Sequence, residues 1–506
     1  MANFKRPGSD PSQQWLFARS LDELVPADCD VRVFSQMMDR LDWSTLESGY
    51  ARLGRPAYDP RVLAKLLVFA YAHGVRSSRK VEELVRYDVR YMWLTGELKP
   101  DYRTIARFRK DRSLALKALF ASSVHLCVEL GLVDLEVVAI DGTKIRANAS
   151  GRTVYDARRV EREMAYAEKV LQEAEEADGA EGGSDEEGLG GGSSQLPGRI
   201  KHPGKRLERL QELRTELEGS GAKGVSASEP DSRLMKSSEG VKPCYNLQAA
   251  VDGKAQVIVA LEVKQTAADY GLLPEMDCEL RATLGRRAGM LLADGGYASP
   301  EALRYLEECG QDALIAQQSR KSQYRGAEEY SREHFVYDAA QDVYRCPEGN
   351  VLRFRGFRAQ WGGFRLYRAR GCPACPQYRR CVPSGRASRE LSVSAVQEMR
   401  SRMAARLADE QGKQLYRRRA AIVEPVNGQL KQDRGLRRFL ARGLEAVKAE
   451  ASLAALAHNL LKCAGVLLVV IFRNIAAPAG PAATAFRFYP SRRPSQRQSR
   501  LCPASP

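Results

Sequence analysis

Two stretches of the 506-residue chain carry an apolar run straight into an acid. In VVAIDGTKIRANAS the run Val137–Ile140 meets Asp141, followed by Gly142, Thr143, Lys144 and Arg146. In MLLADGGYASPEAL the run ends on Asp294, then Gly295 and Gly296, with Ser299 as a helix cap and Pro300 as first helical residue. Apolar runs closed by glycine turns read as buried strands, and the C-terminal edge of an α/β sheet is where ligands bind. An acid there either caps a turn or meets a cation facing phosphates; taken singly, the turn cap is the commoner case. A third acid, Glu424, stands in YRRRAAIVEPVNGQLKQDRG among Arg417, Arg418, Arg419 and Lys431. It either pairs with Arg417 or Arg419, or joins the two aspartates in a carboxylate set. Pro425 predicts a helix start or kink there, and Lys431, seven residues on, falls on the same side of a helix as Glu424.

The cysteines offer a second chemistry. YRCPEGN holds Cys346, and ARGCPACPQYRRCV holds Cys372, Cys375 and Cys381. A C-P-x-C knuckle with a distant cysteine suits a structural zinc ion on four thiolates; free thiols in a β-rich segment are the alternative. Cys29, Cys127, Cys244, Cys278, Cys309 and Cys463 lie mostly in apolar contexts and read as small core residues. The five histidines, at 73, 125, 202, 334 and 458, form no close pair, which leaves little material for histidine–metal or Ser/His chemistry.

These residues need elements to position them. Residues 30 to 130 read as helical: Asp59–Gly74 has apolar spacing of helical period, Ser77 or Ser78 caps a second helix that stops at Gly96, and Asp101 opens a short basic third. On that last helix Arg103 and Arg107 are candidate DNA contacts, alongside Arg109, Lys110 and Arg112. Short helices ending in a basic one fit a helix-turn-helix reader; a bundle with a solvated basic face fits equally. Strands are expected at Leu135–Ile140, Tyr245–Asp252, Gln256–Thr266, Ala288–Asp294 and Ala313–Ala316, with a helix over Tyr270–Gly285, which makes a mixed α/β sheet. A first insertion, 151–240, reads as a helical hairpin arm whose tip, Asp178–Gly198, is low-complexity and expected to be disordered. A second insertion, 317–390, carries the cysteine knuckle, and 474–506 reads as a disordered basic tail.

Lys and Arg exceed Asp and Glu by 79 to 63, a net +16, which suits a polyanionic partner such as nucleic acid. The charge is concentrated: Arg400–Arg442 holds twelve Lys or Arg and four acids. No signal peptide and no membrane span are expected, and cysteines without a secretion signal point to a reduced cytosol.

Taken together, AIDGTKIRANAS, EPDSRLMKSSEGVKPCYNLQAAVD, LLADGGYASPEAL and YRRRAAIVEPVNGQLKQDRGLRRFLARGLEAVKAEASLAALAHNLLK resemble the DDE transposases of bacterial insertion sequences, best the branch numbered eleven eighty-two. GRPAYDPRVLAKLLVFAYAHGVRSSRKVEEL and MWLTGELKPDYRTIARFR resemble that group's helical N-terminal domain, so the likeness spans Leu21–Lys462. The resemblance implies an RNase H-like α/β core at 131–316 and 391–473 behind a helical DNA-binding domain at 1–130. It implies Asp141, Asp294 and Glu424 as catalytic triad, holding two Mg²⁺ or Mn²⁺ ions roughly 3.5–4 Å apart. Tyr416, Arg419, Glu424 and Lys431 match the group's Tyr-Arg-Glu-Lys signature in type; the gap from Arg419 to Glu424 is one residue longer than the commonest pattern, which leaves Arg417 and Arg418 as alternatives. Lys144, Arg146, Tyr416, Arg419 and Lys431 are then expected on DNA phosphates, with Gly142 letting backbone approach. The expected activity is cutting and joining of terminal inverted repeats in duplex DNA, by a homodimer associated with the cytoplasmic nucleoid. A nuclease without strand transfer and a non-catalytic DNA-binding protein are the alternatives.

Overall fold

The computed structural model describes residues 20–48, 50, 57–181, 202–237, 239–316, 328–338, 340–358, 363–382, 386–394 and 396–476. Most of the low-complexity tip and residues 477–506 of the basic tail lie outside these.

Eight helices come first: α1 (Leu21–Leu24), α2 (Asp30–Asp39), α3 (Ser44–Glu47), α4 (Pro60–Ala72), α5 (Ser78–Tyr87), α6 (Val89–Thr95), α7 (Tyr102–Asp111) and α8 (Ser113–Glu129). Asp59 caps α4 by accepting from the Arg61 amide, and Pro60 takes the first position, where no amide hydrogen is needed. The single helix expected from Ser78 to Gly96 is two. Asp88 adopts extended backbone and its side chain accepts from the Arg90 amide, which restarts the chain as α6; a short acid competes with the helix backbone for such bonds. Gly96, at φ +56°, ends it.

The central sheet holds β1 (Val137–Arg146), β4 (Arg233–Ser237), β5 (Gly240–Asp252), β6 (Ile258–Lys264), β7 (Met290–Ala293) and β8 (Ala313–Ile315). Its order is β4-β5-β1-β7-β8, with β6 also on β5. The β1/β5 and β5/β6 pairs are antiparallel, while β1/β7 and β7/β8 are parallel. The strand expected to stop at Ile140 instead runs through Asp141 and Gly142 to Arg146, because β5 stays paired as far as Arg146↔Cys244. Helices α11 (Leu273–Leu284) and α12 (Pro300–Cys309) flank β7 in the chain.

A two-stranded ladder, β2 (Val154–Tyr155) with β3 (Val225–Ser226), closes the base of the arm formed by α9 (Ala157–Glu181) and α10 (Pro203–Ser220). The arm has its own apolar cluster, including Val160, Met164, Leu210 and Leu213. Helix α9 continues to Glu181, four residues into the stretch expected to be disordered.

The cysteine segment is a second sheet, β9 (Val336–Asp338), β10 (Val343–Arg345), β11 (Val351–Arg358), β12 (Phe364–Ala369) and β13 (Glu390–Ser394), with the short α13 (Tyr378–Cys381). The chain ends in α14 (Gln397–Ala408), α15 (Glu410–Lys431) and α16 (Leu444–Ala476). Among the described residues no helix is long and apolar enough to cross a membrane.

One apolar core runs from Val31 in α2 through the central sheet to Ala464 in α16, so the N-terminal helices share it with the sheet. A buried ion pair fastens the junction. Arg76 Nη1 lies 2.8 Å from Glu450 Oε1, and these side chains are 9% and 0% exposed. Arg76 Nη2 also donates to the carbonyls of Gly435 at 2.6 Å and Arg438 at 2.8 Å.

Candidate active site

Asp141 and Asp294 directly follow the register pair Ile140↔Ala293 of the parallel strands β1 and β7, which brings the two acids to one place on the sheet. Helix α15 packs against β1, β5 and β7 and supplies the opposing groups. Arg419 Nη1 lies 3.4 Å from Asp141 Oδ1, and Asn427 Nδ2 donates to Asp141 Oδ2 at 3.1 Å. Of the three neighbouring arginines it is Arg419 that reaches the carboxylate. Asp294 accepts from the Gly296 amide at 2.8 Å.

Electrostatics set these groups apart. Burial pushes the Asp141 carboxyl up to about 6; Arg419 opposes the rise, and Asp294 and Asp269 add to it. Burial also raises the Tyr416 phenol, against the pull of Arg419, with Asp294 and Asp141 adding. The Lys431 ammonium is lowered by burial while Asp141 holds it up. Tyr416, Arg419 and Lys431 thus all feel the charge of Asp141.

Glu424 stands on the same helix, exposed. Its side chain has no hydrogen bond or ion pair among the described residues, so the alternative of a pairing with Arg417 or Arg419 is not seen. Asn427 stands three positions on from it, about one turn along the helix surface, where side chains are neighbours. No helix starts at Pro425: α15 runs from Glu410 to Lys431 with the proline inside it. Proline cannot donate to the carbonyl four residues back, and Gln256 Nε2 donates to that carbonyl, of Ala421, at 3.0 Å.

A fourth group, Asp269 in the loop after β6, was not singled out by sequence. Its Oδ1 accepts from Asn246 Nδ2 and Gln248 Nε2 at 2.7 Å each and from Lys144 Nζ at 3.2 Å. The Tyr297 hydroxyl donates to Gln248 Oε1 and extends the network. Nothing local in QTAADYGLL separates Asp269 from a loop acid near a helix start; only the pairing of β1 with β5 brings it beside Asp141. Gly142 faces this network. A Cβ there would sit on Gln248 Nε2 and Asp269 Oδ1 and 2.9 Å from Asn246 Oδ1. Its missing side chain makes room for these groups. Lys144, expected on DNA, pairs here with Asp269.

The remaining cations divide. Arg146 Nη1 pairs with Glu239 at 2.5 Å and lines a polar cavity. Arg103 and Arg107 are exposed on α7, Arg103 against the Tyr102 ring at 5.7 Å. Arg109, on the same helix, is buried and donates to Tyr71 Oη at 3.1 Å and the Arg76 carbonyl at 2.9 Å, a packing role.

Cys346, Cys372, Cys375 and Cys381 line one cavity of about 10 Å³ in the second sheet domain. The knuckle and the Cys346 segment are both turns: the Cys375 amide bonds the Cys372 carbonyl at 3.0 Å, and the Gly349 amide that of Cys346 at 2.9 Å. The Asn350 and Arg389 amides donate to Cys346 Sγ at 3.2 Å and Cys372 Sγ at 3.3 Å. All four are free thiols. Among the described residues no group of three or more His, Cys, Asp or Glu side chains is arranged to hold a metal ion. Neither the thiols nor the carboxylates, with Arg419 and Asn427 on Asp141, therefore stand as a formed metal centre.

Residues 345–464 match the family described as Transposase DDE domain, and residues 19–111 match Transposase domain (DUF772). The first match contains Glu424 and the cysteine cavity; the second covers the N-terminal helices through α7. No curated protein matches the chain. A helical N-terminal region and a mixed α/β sheet accompany the two matches, which together support a DDE transposase of the insertion-sequence type.

Proposed function

We propose that the chain is an insertion-sequence transposase of the branch numbered eleven eighty-two, which cuts and joins element ends by metal-dependent phosphoryl transfer at Asp141, Asp294 and Glu424. The observation that carries this is the parallel register placing Asp141 beside Asp294, opposite the helix that bears Glu424. The path β6-β5-β1-β7-β8, antiparallel then parallel, supports an RNase H-like core. The donor set fits a divalent cation in chemistry. Its oxygens are hard ligands, and Asp141, held up to about 6 by burial with Asp294 and Asp269 adding, lacks positive charge despite Arg419. When bound, Mg²⁺ or Mn²⁺ supplies charge neutralisation at the scissile phosphate and an activated attacking oxygen. For Asp141 to take part, Arg419 and Asn427 must release it; both are then placed, with Tyr416 and Lys431, to orient phosphate oxygens. Asp269 acts as a positioning residue, holding Lys144 and the β5 amides beneath the site. Exposed Arg103 and Arg107 on α7 are placed to meet duplex DNA, and a homodimer would bring two element ends together.

The cysteine cavity is proposed to close on one structural Zn²⁺, supported by four thiols around a single space in a small core. Four thiolates leave no open position, so this ion serves folding alone.

The test is a supercoiled plasmid carrying the element ends, incubated with Mg²⁺. Joined products are expected. Cuts without joining would indicate a nuclease, and shifted but intact DNA a binding protein. Asp141→Asn, Asp294→Asn and Glu424→Gln are each expected to abolish cutting and leave DNA binding nearly unchanged; a variant that still cuts removes its residue from the triad.

A further inference from the structure

Along β1 from Asp141, five residues on, the strand ends beside a polar cavity of about 360 Å³. Arg146, Asn148, Ser150, Lys242, Arg438 and Arg442 line it. We propose that this cavity seats a backbone phosphate of duplex DNA on the flank of the cut, an inference that rests on the reading of Asp141 given above.

Charge points that way first. Four cations converge, and among the described residues only Arg146 has a carboxylate partner, Glu239, itself 49% exposed. The two arginines from beyond α15 are held by neutral acceptors: Arg438 Nη2 donates to Asn148 Oδ1 at 2.7 Å, and Arg442 Nε to the Asn148 carbonyl at 3.2 Å. Each keeps its full charge and further N–H donors for an anion, in the fork geometry that suits phosphate.

Rigidity points the same way. Asn148 is fixed in turn, its Nδ2 donating to the Leu440 carbonyl at 2.7 Å. The segment carrying Arg438 is pinned to the strand end. Arg146 N bonds the Arg437 carbonyl at 3.2 Å, and Phe439 N the Arg146 carbonyl at 2.8 Å. Phe439 is fully buried, its ring 5.8 Å from that of Tyr245. From behind, Arg76 grips the Gly435 and Arg438 carbonyls, and Glu450 Oε2 accepts from the Leu440 and Ala441 amides at 2.9 Å each. Like charges gathered on so fixed a frame repel one another unless an anion joins them, and donors set in advance lose little freedom when it does.

Geometry names the anion. Five residues of strand span ~17 Å at ~3.3 Å each, and a DNA strand advances about 3.4 Å per base along its axis. The cavity therefore falls within a few nucleotide steps of the phosphate at Asp141, where a continuous polyanion can occupy both.

The experiment pairs Lys242→Gln/Arg442→Gln with a methylphosphonate scan of an element-end duplex. Both side chains are at least partly exposed, and an unchanged thermal transition confirms folding; Arg442→Gln alone serves if the pair does not fold. Wild type is expected to lose affinity on the order of tenfold at one neutralised position a few steps from the cut. The double variant is expected to bind about tenfold more weakly, to ignore that position, and to show a log–log salt slope shallower by about 0.9. Lys242→Arg/Arg442→Lys, which keeps the charge, should restore the slope. Identical scans for wild type and variant overturn the proposal. So does calorimetric binding of inorganic phosphate that the variant loses without any methylphosphonate effect, which would mark a site for a free anion. If the duplex is bound but never cut, the reading of Asp141 fails, while the scan still decides the cavity.

Discussion

Replacing Asp141 by asparagine should stabilise the metal-free protein while destroying its chemistry. The Asp141 side chain is 21% exposed. Burial lifts its carboxyl to about 6, with Arg419 opposing and Asp294 and Asp269 adding, whereas the ordinary value is 3.8. A carboxyl with a higher pKa in the fold holds its proton more tightly there than in the unfolded chain. Its contribution to stability is therefore complete below 3.8 and lost as pH rises through about 6. Above that window the fold carries the whole penalty, ~3 kcal/mol at about 1.36 kcal/mol per pH unit. Asparagine removes the charge and also the attraction to Arg419, so the net gain should be ~1–3 kcal/mol near neutral pH, vanishing near about pH 4. Urea unfolding with chelator, at both pH values and with one probe, measures this; a chain of this size need not unfold in two states, so paired transitions are compared rather than absolute energies. Mg²⁺ added back should stabilise wild type by mass action and leave Asp141→Asn unmoved. A variant less stable than wild type at neutral pH, or a gain of equal size at both pH values, would refute the reasoning.

Other perturbations test the frame. Gly142→Ala drives a methyl onto Gln248 and Asp269, costing ~2–5 kcal/mol from overpacking and broken buried hydrogen bonds; nicking should fall with it, and wild-type unfolding would discount the network. Arg76→Ala strands the fully buried Glu450 and frees the loop before α16, an expected loss of ~3–5 kcal/mol in urea unfolding, whereas a change within ~0.5 kcal/mol would mean the junction is not fastened there. Elemental analysis of protein purified without chelator should find about one zinc per chain, falling in Cys375→Ser while carboxylate chemistry persists in the folded fraction; no zinc would establish the four cysteines as core thiols.

Much of this architecture was legible in local pattern. Apolar runs marked β5, β6, β7 and β8 to within a few residues, and Asp59, Asp101 and Ser299 announced helices that they do cap. The arm was visible as two charged helices around a glycine-rich tip. That Pro425 would start a helix was local reasoning applied where a distant residue takes part: Gln256 supplies a bond to the carbonyl that proline cannot reach. The same holds at Gly142, read as a turn and found inside a strand because β5 is paired across it. On α7, spacing grouped Arg109 with Arg103 and Arg107, yet Tyr71 and the Arg76 carbonyl take Arg109 into the core.

By itself, then, the amino-acid sequence determined most of the segments that become helix or strand, where the acids and cysteines stand along the chain, and a basic excess that suits a polyanionic partner. Those properties follow from residue periodicity, caps and charge, all readable within a few positions. Tertiary structure alone decided that Asp269 joins Asp141, that Arg419 rather than its neighbours reaches that carboxylate, and that Lys242 and Arg442 share a cavity with Arg146. Each of these depends on strand register and helix packing between residues from about 100 to 300 positions apart, and side-chain contacts at such separations are set by the one core that all the elements bury together.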